Sequence, residues 1–372
     1  MIPINKPWLG DEEKQELLNI LEENILTSPS NDGGKRVQEF ENILQSHMNT
    51  KHVITVNSGT SALHASLLSI GIKQGDEVIL PSFTFVATAN SVLAAGAKPI
   101  FADINKQDYT IDILDMEKKI NKKTKAIIPV HLYGHPSNMN EINSIAREHS
   151  LYVIEDACQS LGSTYFQKQT GTLGDIGCFS FYASKVITTG EGGAIVTNND
   201  DFADKLKMIR NHGMVNGYDT RLFGLNLRLP ELSAGIGKIQ MRKLDKMLKI
   251  RRNNADILSD GLKKFEQIQS IISLPEESIE KKFNWYLFTV SFKDKNQREL
   301  VKNHLIKDGI GATVYYDPPV HKTPYYNNFE SLSDDSLPNT IWAWHHALSL
   351  PVHPLVTEND LQKILKIFET YI

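Results

Sequence analysis

A single lysine, Lys185, lies inside the stretch FSFYASKVITTGEGGAIVTNND (residues 179–200). Apolar and aromatic residues precede it, and a glycine-rich turn and a second apolar run follow it. Lysine is rarely buried without a partner, so a lysine in this context suits a desolvated amine that attacks carbonyl groups and forms a Schiff base. The alternative is a loop lysine whose ammonium group reaches the water.

The segment VNSGTSALH (56–64) predicts a strand, a glycine turn and the start of a helix. Gly59, Thr60 and Ser61 would supply N–H groups and hydroxyls at the positive end of the helix dipole, which favours a phosphate. The same residues are typical of an ordinary helix cap. No GKS or GKT follows, so the segment is not a P-loop, and it holds no GxGxxG fingerprint.

The segment LYVIEDACQS (151–160) predicts a buried strand that ends in two carboxylates, Glu155 and Asp156. Because side chains alternate along a strand, the two point to opposite faces, and one of them should face a site at the sheet edge. A carboxylate in such a place needs a cationic partner. A helix-capping aspartate is the alternative interpretation.

The segment PSFTFVATANSV (81–92) places Phe83 and Phe85 on the same side if it stays extended. One ring could stack on a planar ligand, and plain core packing is the alternative. None of these four signals is specific alone. Together they supply what pyridoxal phosphate needs: a Schiff-base lysine, a carboxylate for the pyridine nitrogen, a phosphate cradle and a ring over the heterocycle.

The elements that must position these groups alternate between strand and helix patterns over residues 52–200. Strands are predicted at HVITV (52–56), EVIL (77–80), KPIFADI (98–104), KAIIPV (125–130), LYVIED (151–156) and GAIVTN (193–198). Apolar strands that alternate with helices predict an α/β fold with a mainly parallel sheet covered on both faces. Ligands bind such sheets at the carboxyl ends of the strands.

From Pro230 the pattern changes to one long helix over residues 231–265, followed by a smaller α+β unit. In that unit NWYLFTVSF and ATVYY are predicted strands, and RELVKNHLIKDG and DLQKILKIFETYI are predicted helices. We place the domain boundary inside the long helix. This gives a large domain of residues 1–245, with the option that its first residues pack on the small domain, and a small C-terminal domain of residues 246–372.

The composition fits two globular domains: 372 residues, 41% hydrophobic and 23% charged, with a net charge of -4. The mild acidity disfavours a nucleic-acid partner, and no apolar run approaches the ~20 residues of a membrane helix. The polar N-terminus argues against a signal peptide, so we expect a cytoplasmic protein with two reduced thiols, Cys158 and Cys178. Neither these thiols nor the histidines of HLYGH (131–135) predict a metal site.

Motifs over almost the whole chain appear in the order and spacing of one known family. They are NSGTSALH, GDEVILPSFTFVATANSVLAAGAKPIFADI, KAIIPVHLYGHP, VIEDACQS, GDIGCFSFYASKVITTGEGGAIVTN, RNHG and GLNLRLPELSAGIGKIQM. With them the chain resembles the DegT family of nucleotide-sugar aminotransferases, which use pyridoxal phosphate and have the aspartate-aminotransferase fold (fold type I). The resemblance implies a mainly parallel, seven-stranded-type sheet flanked by helices, plus a smaller α+β domain.

This resemblance implies roles for the residues singled out above. Lys185 would bind the cofactor covalently and act as the acid and base that moves the proton. Asp156 would pair with the pyridinium nitrogen. Gly59, Thr60 and Ser180 would hold the phosphate.

The resemblance also implies contacts around the ring and across a subunit interface. Phe85 would stack on the heterocycle, and Gln159 would lie close to it. Asn226 would reach the phosphate of the neighbouring subunit's cofactor, which requires a homodimer with shared active sites. Gly235 and Gly237 would suit a close backbone approach at that interface.

The implied reaction moves an amino group from an amino acid, with L-glutamate expected, to a nucleotide-linked keto-sugar for amino-sugar and surface-glycan biosynthesis. The run TTGEGG (188–193) resembles members that aminate C4 of 4-keto-6-deoxy sugars. Arg228 is a candidate for the diphosphate, because anionic oxygens need cationic or N–H partners. Tyr316 and His321, in YYDPPVHKTPYY, are candidates for the sugar. The nucleotide stays open among UDP, GDP and dTDP.

Other functions remain as alternatives. Amination at C3 is one, and a deoxysugar dehydratase of the same fold is another, although the related dehydratases carry His where this chain has Lys185. A cofactor-holding regulatory protein without turnover is a third. A nicotinamide-dependent oxidoreductase is disfavoured, because the glycine fingerprint is missing.

Overall fold

The computed structural model describes residues 1–265, 267–329 and 331–372. Its helices are α1 (Asp11–Glu23), α2 (Lys35–Met48), α3 (Gly59–Ser69), α4 (Val86–Ala94), α5 (Ile113–Lys118), α6 (Met139–Glu148), α7 (Asp200–Arg210), α8 (Glu231–Lys263), α9 (Ile268–Ile271), α10 (Lys295–Lys307), α11 (Pro324–Phe329), α12 (Pro338–His346) and α13 (Glu358–Tyr371). Short 3-10 helices cover Leu132–Gly134, Val320–Lys322 and Asp334–Ser336.

The strands are β1 (His52–Val56), β2 (Glu77–Pro81), β3 (Lys98–Ala102), β4 (Thr124–Ile127), β5 (Tyr152–Asp156), β6 (Thr164–Tyr165), β7 (Lys168–Gln169), β8 (Ile176–Ser180), β9 (Gly193–Thr197), β10 (Ile272–Ser273), β11 (Lys281–Lys282), β12 (Phe288–Phe292) and β13 (Ala347–Leu350). Seven of them form one sheet in the order β1-β9-β8-β5-β4-β2-β3. Within this sheet β9 is antiparallel to its neighbours β1 and β8, and the other neighbouring strands are parallel to each other. The prediction of a mainly parallel sheet is confirmed.

All six strands predicted between residues 52 and 200 are present in this sheet, but β8 was not predicted. Its sequence, IGCFS, lacks an alternating pattern because a glycine and a cysteine separate the apolar residues. Gly177 is required there, because a Cβ at this position would overlap the backbone of Gly171. The strand therefore depends on its neighbours β5 and β9 more than on its own composition.

Helices cover both faces of the large sheet, as the sequence predicted. On one face Leu63 and Leu67 of α3 and Leu206 of α7 pack in one hydrophobic cluster with strand residues. On the other face, residues of α2 and α8 form a second cluster, in which Phe40 and Leu244 are buried. The sheet edge that carries the strand ends is thereby held between two packed layers.

Two glycines of α8 make close contacts within the chain, in addition to any role at an interface. A Cβ on Gly235 would lie 2.5 Å from Cδ1 of Ile20 in α1, and a Cβ on Gly237 would lie 2.6 Å from Cζ of Phe40 in α2. Both distances are too short for a real Cβ. The two glycines therefore let α1 and α2 approach α8 closely.

The C-terminal part holds a small antiparallel sheet in the order β10-β12-β13, with α10 and α13 packed near it. The predicted strand NWYLFTVSF is shorter than expected, since only Phe288–Phe292 is a strand. The prediction of a strand at ATVYY is wrong: a single bridge joins Thr313 to Ser349. After this bridge the chain leaves the sheet and carries Tyr315 and Tyr316 to the cavity described below.

The first residues of the chain pair with the C-terminal part. The Ile2 N–H donates to Gly309 O at 2.7 Å, and the Gly311 N–H donates to Ile2 O at 2.6 Å. The helix α8 is continuous through residue 245, so the domain boundary at that position stays a prediction. Within the described residues, no helix is both long enough and apolar enough to cross a membrane.

Candidate active site

A cavity of about 480 Å³ lies at the carboxyl ends of the central strands. Eight of the eleven predicted site residues line it: Gly59, Thr60, Phe85, Asp156, Gln159, Ser180, Lys185 and Tyr316. Strands β1, β2, β5 and β8 run in one direction, so the loops that follow them meet at one edge. The sheet therefore gathers groups that are up to 257 residues apart in sequence.

The N-terminus of α3 forms one end of the cavity wall. Ser58 is its N-cap residue, and its Oγ accepts a hydrogen bond from the Ser61 N–H at 3.0 Å. The first N–H groups of a helix have no acceptor within the helix, and they lie at the positive end of its dipole. Gly59 and Thr60 stand at this place. A helix cap and an anion site were alternative interpretations of this segment, and the geometry is compatible with both.

Gly59 leaves space at this helix end. A Cβ there would lie 2.7 Å from the Cβ of Ser180 and 2.9 Å from the Sγ of Cys158. Only glycine lets the end of β8 and the turn after β5 approach the helix so closely. The three elements therefore meet at the α3 N-terminus, where the free N–H groups favour an anion.

Asp156, at the end of β5, turns its carboxylate toward the cavity. Its Oδ2 accepts a hydrogen bond from Thr88 Oγ1 at 2.8 Å, and its Oδ1 accepts one from the Cys158 N–H at 3.2 Å. A second threonine, Thr84, lies 2.9 Å from Thr88 and extends the chain of hydroxyls. Among the described residues, no cation lies within 4.0 Å of this carboxylate. It can therefore offer its charge to a cationic ligand group.

Glu155 faces the opposite side of the sheet, as strand alternation predicts. It is fully buried, and its Oε2 lies 2.8 Å from His131 Nε2. Both carboxylate oxygens also accept backbone N–H groups from residues 171–174. The structure thus separates a structural carboxylate from one that faces the cavity.

Lys185 lies in the loop between β8 and β9 and lines the cavity. It is half-buried, whereas the sequence led us to expect a buried side chain. Its Nζ lies 5.0 Å from the ring centroid of Tyr286, an arrangement in which an ammonium is attracted to the ring face. Tyr286 also places its hydroxyl 3.3 Å from Ser184 Oγ. The lysine is therefore oriented by a residue of the C-terminal part.

The aromatic residues of the segment after β2 divide between the core and the cavity. Phe83 is fully buried, while Phe85 lines the cavity and is 55% exposed. The ring of Phe85 lies 5.8 Å from that of Tyr316. The strand ends at Pro81 and the chain bends at residues 82–84, so the extended segment that would put both rings on one side is not formed. Phe85 is the ring that is free to stack on a ligand.

Gln159 connects two walls of the cavity. Its Oε1 accepts the Tyr133 N–H at 2.8 Å, and its Nε2 donates to the Tyr316 hydroxyl at 2.8 Å. Burial raises the pKa of Tyr316 well above its usual value, so this phenol stays protonated. The sequence assigned Gln159 to the cofactor and Tyr316 to the sugar, and the structure places the two in direct contact.

Three predicted site residues lie outside the wall of this cavity. Asn226 is exposed. Arg228 donates to Asn211 Oδ1 at 2.6 Å. His321 is fully buried, with Nδ1 2.6 Å from Ser82 Oγ, and burial lowers its pKa to about 4. A buried neutral histidine held by Ser82 connects the 320–322 turn to the end of β2, and this contact does not bring it to the cavity.

The histidines of HLYGH do not come together on a metal site. His131 contacts Glu155, and the ring of His135 stacks on Phe283 with the centroids 4.0 Å apart. Over the residues that the structure describes, no group of three or more His, Cys, Asp or Glu side chains is arranged to hold a metal ion.

Sequence reasoning missed Tyr286 and Thr88. Tyr286 lies in the predicted strand NWYLFTVSF, and Thr88 lies in a helix 68 residues before the carboxylate that it contacts. Thr88 has no local signal, because it contacts the site only through the fold. For Tyr286 the local hint was weak: it forms an aromatic pair with Trp285 just before β12.

The DegT/DnrJ/EryC1/StrS aminotransferase family model matches residues 7–369. GDP-perosamine synthase of Escherichia coli O157:H7 is 36% identical over 329 residues, which are 88% of this chain and 87% of that protein. The dTDP-3-amino-3,4,6-trideoxy-alpha-D-glucose transaminase of Streptomyces venezuelae is 35% identical over 86% of this chain and 83% of that protein. The structure of S. venezuelae DesV superposes with a TM-score of 0.91, at 32% identity, over 99% of this chain and 98% of that one.

The cofactor of this family is pyridoxal phosphate, and the cavity fits it. The close approach at Gly59 leaves room at a helix end, where a phosphate is favoured. A carboxylate, Asp156, and an amine, Lys185, line the same cavity, and these are the two side-chain types that the pyridine nitrogen and the aldehyde of this cofactor require. The chain therefore belongs to the DegT/DnrJ/EryC1/StrS aminotransferase family and is a pyridoxal-phosphate-dependent transaminase of nucleotide-linked sugars.

Proposed function

We propose that this protein transfers the amino group of L-glutamate to the C4 ketone of a nucleotide-linked 4-keto-6-deoxy sugar, for amino-sugar and surface-glycan biosynthesis. The observation that carries the proposal is the convergence of Lys185, Asp156 and the α3 N-terminus on one cavity. The similarity to GDP-perosamine synthase supports a nucleotide-linked sugar as the acceptor. The run TTGEGG (188–193), which resembles C4-aminating members, supports the position of the new amine.

When bound, pyridoxal phosphate supplies an electron-withdrawing ring that stabilises negative charge at the carbon bearing the transferred nitrogen. Asp156 would hold the pyridine nitrogen through its cavity-facing carboxylate. The N–H groups of Gly59 and Thr60 would hold the phosphate together with the Ser180 hydroxyl. Nζ of Lys185 would bind the cofactor in the resting enzyme.

Lys185 has a second task in each half of the reaction. Once its Nζ is released, it would take the proton from the carbon that carries the amino group and deliver it at the other end of the transfer. The ring of Tyr286, 5.0 Å away, would orient the ammonium that forms when the free amine has taken this proton. The half-buried position suits this role, because the side chain has room to move inside the cavity.

A visible absorption spectrum tests the first half-reaction. The purified protein with pyridoxal phosphate should show a band from the Lys185-bound cofactor, and L-glutamate should bleach it. Lys185→Ala should keep noncovalent cofactor binding but lose the bleaching and the turnover. Full activity in this variant, or a band that glutamate leaves unchanged, would contradict the assignment.

Amination at C3 is the second candidate, because the transaminase of S. venezuelae that the chain resembles carries a 3-amino product in its name. To distinguish C4 from C3 amination, the enzyme is given a 4-keto-6-deoxy and, separately, a 3-keto-6-deoxy nucleotide sugar, and the products are compared. NMR of the product locates the new amine. A product that has lost a hydroxyl and gained no amine would instead indicate a dehydratase.

We also propose a homodimer in which Asn226 reaches the partner's cofactor phosphate. Asn226 is exposed and lies outside the cavity of its own chain. Exposed apolar side chains support a surface that a second copy would cover: Phe223 lies near Asn226 in sequence, Leu21 lies on α1, and Ile25 follows the end of α1.

Subunit mixing tests this arrangement. Lys185→Ala and Asn226→Ala subunits, each impaired alone, should regain activity when mixed, because one site of the mixed dimer then holds both native residues. The expected recovery is a substantial fraction of the activity of one native site. If mixing restores nothing while sedimentation shows mixed dimers, Asn226 acts within its own chain or has no such role.

A further inference from the structure

One buried arginine lacks the partner that the other buried arginines have. Among the residues that the structure describes, four arginine side chains are buried, and three of them lie within 3.0 Å of a carboxylate oxygen. Arg251, at 1% exposure the most enclosed of the four, has no carboxylate within 4.0 Å in the part of the chain that the structure describes. The three paired examples are Arg36 with Glu16, Arg210 with Glu41 and Arg298 with Glu299.

The hydrogen-bond partners of Arg251 are all neutral. Its Nη1 donates to the carbonyls of Trp285 at 3.3 Å and Tyr286 at 3.1 Å, and its Nη2 donates to Asn5 Oδ1 at 3.2 Å. Burial lowers the pKa of Arg251 to about 10, which leaves it a cation at neutral pH. A buried charge without a counter-charge is costly, so this guanidinium requires compensation.

Unused donors surround the same side chain. Arg251 Nε is enclosed and has no acceptor, and neither has Nδ2 of Asn5. Nε and Nη2 share one edge of the planar guanidinium, and the Asn5 amide contacts that edge because its Oδ1 accepts from Nη2. The carbonyl of Trp285 accepts a hydrogen bond from Arg251, but its indole ring packs against Phe283 and Phe288. What this place lacks is an acceptor with negative charge.

The neighbouring titratable groups do not supply it. His353, which bonds Pro3 O through Nε2, is neutral, because burial and the nearby cations Arg251 and Lys6 lower its pKa to about 4. The carboxylate of Asp360 is close enough to raise the pKa of His353, against the larger effects that lower it. This carboxylate already accepts hydrogen bonds from the N–H and the hydroxyl of Thr357 at the N-terminus of α13. The local potential at Arg251 is therefore positive.

We propose that Arg251 and Asn5 form a buried site for a small monovalent anion of the halide class. Chloride would accept the free N–H groups and balance the guanidinium charge. The site would join the N-terminal segment, which pairs with residues 309–311, to α8 and to the segment that carries Tyr286. It would thereby stabilise the cavity wall that faces Lys185.

Thermal unfolding of the cofactor-loaded protein tests the site. Sodium chloride or bromide is compared with sodium gluconate at equal ionic strength, so that general screening is the same. A saturable, halide-specific rise in Tm of about 3 °C or more is expected for the native chain. Arg251→Met and Asn5→Leu should lose the rise. Arg221→Met, at an exposed arginine paired with Asp219, should keep it.

A crystal grown in gluconate and soaked in bromide gives the second measurement. The anomalous signal should show a peak within hydrogen-bond distance of Arg251 Nε and Asn5 Nδ2. If Arg251→Met does not fold, Asn5→Leu decides, since it leaves the two carbonyl contacts of Arg251 in place. A water at this position with no bromide peak, or a Tm equal in halide and gluconate, would overturn the proposal.

Discussion

Replacement of Glu155 by glutamine is the most direct test of the two adjacent carboxylates at the end of β5. The Glu155 side chain is fully buried and accepts on both oxygens. Oε1 accepts the N–H groups of Leu173 at 2.6 Å and Gly174 at 2.7 Å. Oε2 accepts the Gly171 N–H at 2.7 Å and lies 2.8 Å from Nε2 of His131. The Ser137 N–H donates to Nδ1 of His131, so the neutral ring carries its proton on Nε2 and donates to Glu155.

The expected cost follows from this count of donors. In Glu155→Gln the amide NH₂ must replace one of the two oxygens, and either oxygen faces two donors. Whichever way the amide turns, two buried N–H groups lose their acceptor. Each such loss costs about 1–3 kcal/mol, so the free energy of unfolding should fall by about 2–6 kcal/mol.

Urea unfolding at one protein concentration measures this change, and Asp156→Asn is the matched control. An asparagine at position 156 still offers an oxygen to Thr88 or to the Cys158 N–H, so its stability should change by less than about 1.5 kcal/mol. The control should lose transamination, while any folded Glu155→Gln protein should retain it. A stability cost for Glu155→Gln no larger than that of Asp156→Asn would refute the reasoning.

Two further perturbations follow from burial and from close packing. His321 and His353 are buried, and burial lowers the pKa of each to about 4. In the unfolded chain each histidine has its usual pKa of about 6.5, so between about pH 6.5 and pH 4 the unfolded chain binds more protons than the folded one. The free energy of unfolding should therefore fall as the pH drops from about 6.5 to about 4, by up to about 3 kcal/mol per histidine, and His353→Gln should flatten this dependence in urea unfolding measured across that range. Gly59→Ala places a Cβ 2.7 Å from Ser180 Cβ and 2.9 Å from Cys158 Sγ, so binding of pyridoxal phosphate should weaken about tenfold or more. Titration of the cofactor-free protein gives this affinity, and an unchanged value would show that the cradle can widen without cost.

Local composition was enough for most of the large sheet. Runs such as HVITV and GAIVT are β-branched and bounded by turn residues, and they are strands in the structure. The same reasoning failed at ATVYY, whose composition favours a strand but which meets β13 only at Thr313. Strand propensity expresses how well a residue fits a pleated, half-buried surface. Whether a neighbouring strand is available for pairing depends on the rest of the chain.

The candidate site was likewise predictable from the sequence only in part. Lys185, Asp156 and Gly59 could be selected because each follows or begins an element that the sequence marks clearly. The sequence did not choose between Phe83 and Phe85: Phe83 enters the core and Phe85 the cavity, because the strand stops at Pro81. Side chains alternate only while the backbone stays extended, so alternation does not give the direction of a side chain beyond the end of a strand.

Strand alternation and helix starts depend on residues a few positions apart, so local patterns were sufficient to identify the chemical groups at the strand ends. Three other contacts depend on how the whole chain packs: Tyr286 lies over Lys185, Thr88 bonds Asp156, and His321 is buried against Ser82. These partners are separated by 68 to 239 residues. Contacts at such distances arise only when the sheet and its helices pack, since no local pattern carries the position of a residue on another element.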